Sequence, residues 1–402
     1  MNVLVINCGS SSLKFQLQHV PPDAERSTEG RTLATGRVQA LGADARLTFQ
    51  PAGGAAEHVA VSVADHATAV RLLLDRLAAH AATLGSIEAV GHRFVHGGAR
   101  FQKPARIDDD VLAHLEALRA LAPLHNGPAL AGLGAVQAAL DEALPHVAVF
   151  DTAFHAHLPQ VAQTYGLPWA LAERHGIRRY GFHGTSCRSV VERYGELTGA
   201  LPDARLIVLH LGAGCSATAV QGGRSMDTSM GFTPLEGLLM ATRSGDVDPA
   251  LPAFLAEREG LSPAAVERLL NEESGLMGVS GRSGDLRELL AHEADDPRAR
   301  LAVALYCYRV RKAVGANLAA LGGADAILFT GGVGEHLPEI RARIGGPLAW
   351  CGLRMDEARN AAADGGPTRI SDATAALHAW VMPSDEERMI AWDTARCLTG
   401  VS

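Results

Sequence analysis

Two periodicities alternate along this chain. Val3-Leu4-Val5-Ile6 is a continuous apolar run, broken by Asn7-Cys8-Gly9-Ser10-Ser11-Ser12, after which Leu13-Lys14-Phe15-Gln16-Leu17 alternates with period two. A buried strand, a tight Gly/Ser turn and a half-buried return strand are predicted. Short alternating stretches such as Arg46-Leu47-Thr48-Phe49 extend the same antiparallel sheet. Helical spacing then takes over at 70–84 and is ended by Gly85. An apolar start at 87–90 leads to His92-Arg93-Phe94-Val95-His96-Gly97-Gly98, a strand delivering side chains to a cleft. A helix over 108–120 carries three aspartates in its first turn, where the helix dipole favours them. Residues 122–128, with two prolines and a glycine, punctuate the chain before a helix at 129–144. The apolar strand 146–150 then places Asp151 at its carboxyl end, where ligands gather in α/β sheets.

The second half repeats the opening. Tyr180-Gly181-Phe182-His183-Gly184-Thr185-Ser186 sets a histidine among glycines before a helix capped by Thr185 or Ser186. Leu206-Ile207-Val208-Leu209-His210-Leu211 is a buried strand, followed by Gly212-Ala213-Gly214-Cys215-Ser216 and a second strand at 217–220. The spacing matches a dinucleotide fingerprint, but that fingerprint must open a helix, and here another tight turn follows. Two strand–turn–strand units about 200 residues apart point to a duplicated fold, one copy per domain. Loops dense in Gly, Asp and Arg follow at 231–237 and 243–249, and Ser262-Pro263 starts a helix in the expected cap order. A glycine-rich loop at 275–285 precedes helices at 286–292 and 297–321. The buried strand 326–330 leads to a glycine turn, 331–336, and a helix beginning near Leu337-Pro338. Pro383-Ser384-Asp385-Glu386-Glu387 precedes the last helix, 388–397.

Composition narrows the class. A length of 402 residues makes two domains the default, and 47% hydrophobic with 20% charged residues suits a sizeable core. A net charge of −8 gives no support for nucleic-acid or anionic-membrane binding, so an anionic substrate needs locally placed arginines. Lys14 is one of three lysines among 36 basic residues, which marks it beside the first turn. The six cysteines are scattered without metal-ligand spacing and read as free thiols. No apolar run is long enough to span a membrane, and no signal-like segment precedes the first strand; a cytoplasmic location is expected.

Each polar feature alone has an ordinary reading as a turn, cap or solvated loop. Together they describe phosphoryl transfer: two Gly/Ser hairpins for phosphates, a glycine turn for the adenosine end, Arg93 and Arg243, His183, and the acids Asp151 and Glu386. No G-x-x-x-x-G-K-[ST] segment is present, so this is not a P-loop enzyme. Such chemistry needs cationic groups on the oxygens of the transferred group and Mg²⁺ on the nucleotide.

Residues 5–15, 92–98, 122–126, 150–155, 180–186, 242–249 and 329–335 resemble, in order, the acetate kinase family. The resemblance implies an α/β architecture of two duplicated RNase H-like (actin-like ATPase) domains with an interdomain cleft, and the two-domain layout leads us to expect closure over it. The domains would be 1–150 with 385–402, and 151–384. It implies a homodimer and the reaction ATP + acetate ⇌ ADP + acetyl phosphate by in-line transfer, with Mg²⁺ (or Mn²⁺ in its place). By resemblance Asp151, His183 and Arg243 are catalytic, and Asn7 and Glu386 are metal positions. Arg93 and His125 bind the acyl substrate, and Val95, Leu124, Phe182 and Pro234 surround its methyl group. Nucleotide positions are Ser10, Ser12, Lys14, His210, Leu211, Gly212, Ala213, Gly214, Asp285, Leu286, Arg287, Gly332, Val333, Gly334, Glu335 and His336. The chain departs from the family at Ala213, where the hairpin usually carries Asn, and at His336, where the turn usually ends in Asn. Gly-Arg-Ser-Gly at 281–284 is also unusual before Asp285. A kinase for propionate or butyrate, and a nucleotide-binding regulatory module without catalysis, are the alternatives.

Overall fold

Buried apolar strands organise both halves of the chain. The computed structural model describes residues 1–9, 12–22, 24–25, 27–40, 42–80, 84–120 and 123–400, with backbone alone at 42, 43, 120 and 123–125. Two units emerge: Met1–Ala153 with Asp385–Ser402, and Phe154–Ser384.

In the first unit, β1 (Asn2–Cys8), β2 (Ser12–His19), β3 (Arg31–Gln39), β4 (Gly42–Pro51) and β5 (Glu57–Val63) form an antiparallel meander. β6 (Ala89–Phe94) and β8 (His146–Phe150) add in parallel beside β1, and β7 (Ala105–Arg106) closes the edge. The order is β5-β4-β3-β2-β1-β6-β8-β7. In the second unit β9 (Arg205–Leu211), β10 (Cys215–Gln221) and β11 (Arg224–Thr228) are antiparallel. β12 (Ala326–Thr330) and β14 (His378–Val381) run parallel to β9, with β13 (Thr368–Arg369) at the edge. The order is β11-β10-β9-β12-β14-β13. Thus β3-β2-β1-β6-β8 and β11-β10-β9-β12-β14 are the same frame used twice, as the paired hairpins predict. The first strands even share one burial sequence, half-buried at their second-last residue, Asn7 in β1 and His210 in β9.

Odd positions of the first sheet pack on one element. Val3, Val5, Ala89, Val147 and Val149 share a core with Ile390, Ala391 and Ala395 of the last helix, Glu386–Thr399. Gly91 belongs to this face, where a Cβ would stand 2.4 Å from Thr394 Oγ1; only glycine admits the helix there. In the second sheet Leu206, Val208, Ala326 and Leu328 pack against Cys187, Val190 and Val191 of the helix Gly184–Thr198.

Several helices depart from their predicted bounds. The first is His66–Ala79, earlier than 70–84, because the Asp65 carboxylate caps it by accepting from Thr68 N at 2.8 Å. Residues 122–128 do not simply punctuate the chain: the helix runs Pro123–Ala139 through Pro128. Proline at the first position is pre-set for a helix, and Pro128 loses only one ladder bond near that end. The 275–285 loop contains a short helix, Gly275–Ser280, tied down by Leu276 N and Met277 N on the carbonyls of Met240 and Ala241. Gly331–His336 is itself helical and not only a turn. Neither Thr185 nor Ser186 caps its helix; His183 occupies that position at φ 57°. The cap at Ser262 stands as predicted, while Asp108, read as a first-turn residue, is the cap of the helix Asp109–Ala117. All six cysteines are free, and among the described residues no helix is long and apolar enough to cross a membrane.

His92 and His146 form a buried pair on β6 and β8, with His92 Nε2 2.9 Å from His146 Nδ1 and the rings stacked. Burial holds both below the ordinary imidazole range, His92 furthest and with His146 adding to it. The unfolded chain therefore binds more protons, so this stability is complete above about pH 6.5 and lost as pH falls below it. Urea unfolding followed from about pH 8 to about pH 5 should show that decline, shallower in His92→Gln. An equal slope in both proteins would refute the assignment.

Candidate active site

Three parallel strands end together in the first unit, and their last odd positions are polar. Asn7, Arg93 and Asp151 continue the rows Val3-Val5, Ala89-Gly91 and Val147-Val149 on the face covered by the last helix. Arg93 grips Asp151 in a two-point bond, Nη2 to Oδ2 at 2.7 Å and Nε to Oδ1 at 3.1 Å. Its Nη1 meets Glu386 Oε2 at 3.2 Å and Asn7 Oδ1 at 3.5 Å. Asp385 starts that helix by accepting from Arg388 N at 3.1 Å, which aims Glu386 at the strand ends. Burial opposes the Arg93 charge, but Asp151 and Glu386 outweigh it and hold the guanidinium above its usual range. Glu387 is pushed up by burial and by Glu386, against the pull of Lys14 and Arg93. Lys14 lies directly opposite Asn7 in the β1–β2 register. Gly9 N donating to Ser12 O at 2.8 Å ties the turn between the strands.

The second unit builds its cluster at the equivalent place. His210 is opposite Ser216 in the β9–β10 register. The His183 ring stacks on His210 with centroids 4.0 Å apart, and His183 Nδ1 is 3.0 Å from Ser216 Oγ. Ser186 Oγ lies 2.8 Å from His210 Nδ1. The left-handed backbone of His183, at φ 57°, is a strained conformation for a non-glycine residue and aims the ring across the strand ends. A Cβ built on Gly214 would lie 3.2 Å from His183 Nε2 and 3.5 Å from Arg243 Nη1, so these two groups flank the hairpin closely. Arg243 Nη1 donates to the Pro234 carbonyl at 3.0 Å. Among the described residues no carboxylate pairs with Arg243, and burial lowers its pKa. A guanidinium supplied only with a carbonyl and the Met240 thioether is a seat for an anion.

Beside this cluster is a pocket of about 400 Å³. Of the expected nucleotide positions, Gly212, Ala213, Asp285, Leu286, Arg287, Gly332, Val333 and His336 line it, joined by Ala241, Leu276, Gly284 and Leu337, which sequence reasoning missed. Gly331 must be glycine, since a Cβ would stand 2.6 Å from the Leu211 carbonyl. Leu211 and Gly334 are buried. Glu335 turns to the backbone: Oε1 accepts from Gly331 N at 2.9 Å, Thr330 Oγ1 at 3.2 Å and Ser384 N at 3.3 Å. Asp285 caps its helix and holds Arg287, Nη2 to Oδ2 at 2.6 Å, which lowers its pKa.

With this geometry in place, comparison with known proteins is direct. The acetokinase family model matches residues 2–392. The chain belongs to that family. It is 50% identical to the acetate kinase of Solibacter usitatus, over 100% of this chain and 99% of the relative. It is 45% identical to a propionate kinase of Citrobacter rodentium, over 98% and 96%. Among solved structures, the acetate kinase of Porphyromonas gingivalis has TM-score 0.87 at 41% identity, covering 99% of each chain. A propionate kinase from Francisella tularensis has TM-score 0.88 at 38% identity, covering 98% of each.

Within this acetokinase chain, Ser10 and the side chains of Leu124 and His125 lie outside the described residues. Val95 is half-buried just after β6, while Phe182 and Pro234 are buried in the second unit. Asn126 was missed as a positioning group. Its Oδ1 accepts from His96 N at 3.2 Å and its Nδ2 donates to His96 O at 3.0 Å, clamping the loop after Arg93. Tyr165, Arg179 and Glu236 were missed too: Arg179 Nη2 donates to Glu236 Oε1 at 2.6 Å, and Phe232 N donates to Tyr165 Oη at 2.8 Å. Tyr165 also donates to Glu236, so the three hold the loop that carries Pro234. They lie far apart in sequence, and nothing local signals them.

Arg93→Ala leaves the buried Asp151 carboxylate without its arginine and should cost about 3–5 kcal/mol of stability. The double variant with Asp151→Asn should recover part of it. Denaturant titration of the three proteins checks this, and additive losses would refute the coupling.

Proposed function

We propose that this chain reversibly transfers the γ-phosphoryl group of ATP to acetate, giving acetyl phosphate and ADP. The observation that carries the reading is the convergence of Arg243 Nη1 and His183 Nε2 on Gly214, with no carboxylate on Arg243 among the described residues. Two cation-capable groups at one hairpin suit the spreading charge of a phosphoryl in flight. Arg93, fixed by Asp151, would bind the acetate carboxylate or the acyl phosphate, and His125 is proposed by the family resemblance as a further binding residue. Val95, Leu124, Phe182 and Pro234 would take the methyl group. Acetate is already ionised at neutral pH, so no base need remove a proton; Asp151 would act by orienting Arg93.

ATP would lie in the pocket walled by Gly212, Ala213, Asp285, Leu286, Arg287, Gly332, Val333 and His336, and Ser10, Ser12 and Lys14 are proposed by the family resemblance as further nucleotide positions. Ala213 offers backbone only, its carbonyl held by Ala241 N at 3.0 Å, so the hairpin keeps its shape without the family's usual asparagine. Asn7 and Glu386 would hold Mg²⁺ (or Mn²⁺). Their oxygens converge on one nitrogen of Arg93, at 3.5 and 3.2 Å, and hard oxygen donors suit the ion. Among the described residues no group of three or more His, Cys, Asp or Glu side chains could hold a metal, so the phosphates and water would complete the shell. The ion would neutralise charge on the β- and γ-phosphates. A cytoplasmic homodimer belongs to the same proposal; light scattering at twice the chain's mass checks the dimer.

Propionate is the second acceptor to consider, given the 45% identity to a propionate kinase. A pocket discriminates one methylene by only about 1–3 kcal/mol, so propionate should react more slowly than acetate but measurably. Acyl phosphate formation from Mg-ATP with acetate, propionate and butyrate tests both readings. Arg243→Ala should lower kcat by about 10³–10⁵. No acyl phosphate from any of the three acids, with ADP still bound, would overturn the proposal in favour of a nucleotide-binding module.

A further inference from the structure

Pro338 interrupts the helical ladder just beyond the wall of the nucleotide pocket. In an unbroken helix the Gly334 carbonyl would accept from the N–H of residue 338, and proline has none. Arg341 replaces the missing donor from one turn further on. Its Nη1 donates to Gly334 O at 3.0 Å and to Glu335 O at 2.9 Å. The other donors go to one residue: Nε to Asn360 Oδ1 and Nη2 to Asn360 O, both at 2.7 Å. Asn360 closes the ring by donating Nδ2 to the Pro338 carbonyl at 2.8 Å.

Arg341 is completely buried, among the largest side chains so enclosed. Among the described residues no carboxylate pairs with it, and burial lowers its pKa to about 10. An apolar side chain could fill the same volume without the desolvation cost of a guanidinium. What it could not do is satisfy four carbonyl-type oxygens from one planar fork. Two of those oxygens, on Gly334 and Glu335, belong to the segment that supplies Gly332, Val333, His336 and Leu337 to the pocket wall, and the other two, on Asn360, anchor it to the helix Glu357–Ala362.

We propose that Arg341 is a positioning residue for the nucleotide: with Asn360 it sets the end of the turn Gly331–His336, and through it the wall against which the nucleotide lies. This rests on the nucleotide reading of that pocket. The charge alone is not enough, because a lysine ammonium cannot reproduce the fork.

The test measures ADP binding by calorimetry, without acetate, on the full chain and on Arg341→Lys, Arg341→Met and Asn360→Ala, with a melting curve for each. Both Arg341 variants should weaken ADP binding at least about 10-fold and raise the KM for ATP in step. The KM for acetate should stay within about two-fold, since that half-site is untouched. Asn360→Ala removes one of the four contacts to Arg341 and the bond to the Pro338 carbonyl, and should weaken ADP binding about three-fold. A folded Arg341 variant that binds ADP like the wild type overturns the proposal, as does equal loss of affinity for both substrates. Should the Arg341 variants not fold, Asn360→Ala decides alone, and unchanged ADP affinity there overturns it. Failure of the wild-type chain to bind ADP would instead overturn the nucleotide reading, and the positioning role with it.

Discussion

A strand covered on both faces can carry a polar side chain inside the sheet only beside a partner, as His92 finds in His146, and carries one most cheaply where it leaves the sheet. That constraint locates the chemistry in both units. β1 and β9 are apolar and buried through their middles and half-buried at Asn7 and His210. On β6 and after β8 the same row ends in Arg93 and Asp151. Parallel neighbours end at the same level, so residues remote in sequence meet without any loop having to carry them. The helix on that face supplies the last partner: Glu386 on one sheet, His183 at the start of the helix on the other.

Two arginines, one in each unit, are held in opposite electrostatic states. Arg93 is surrounded by Asp151, Glu386 and Asn7, and its charge is stabilised well beyond the cost of its burial. Arg243 is partly buried and meets a carbonyl and a sulfur instead of a carboxylate. The first arrangement fixes a geometry; the second leaves charge available to an incoming anion. The proposed transfer would use both, a rigid grip on a small carboxylate and a cation that responds to the moving phosphoryl.

Much of this was legible in the sequence. The paired strand–turn–strand units at 2–17 and 206–220 announced a duplicated sheet, and each hairpin forms with the polar residue at its predicted end. Eight of the expected nucleotide positions line one pocket. Helix bounds were less legible. Pro128 and the glycines of 331–336 argued for turns, yet both segments are helical. Propensity near a helix end is a preference of less than a few kcal/mol, and packing overrides it.

By itself the sequence determined the strands of the two hairpins and those at 87–94, 146–150 and 326–330, and which family the motifs belong to, because alternation and glycine spacing are local properties; it passed over the strands at 105–106, 224–228, 368–369 and 378–381. It did not reveal that Glu335 would turn inward to hold Gly331, Thr330 and Ser384. Nor did it reveal the clamp of Asn126 on His96, or the loop held by Tyr165, Arg179 and Glu236. Arg341 reads in sequence as an ordinary polar position on a helix, and burial turns it into the donor that Pro338 withholds. These roles follow from which backbone groups lose their partners when the elements pack, and no run of neighbouring residues carries that information.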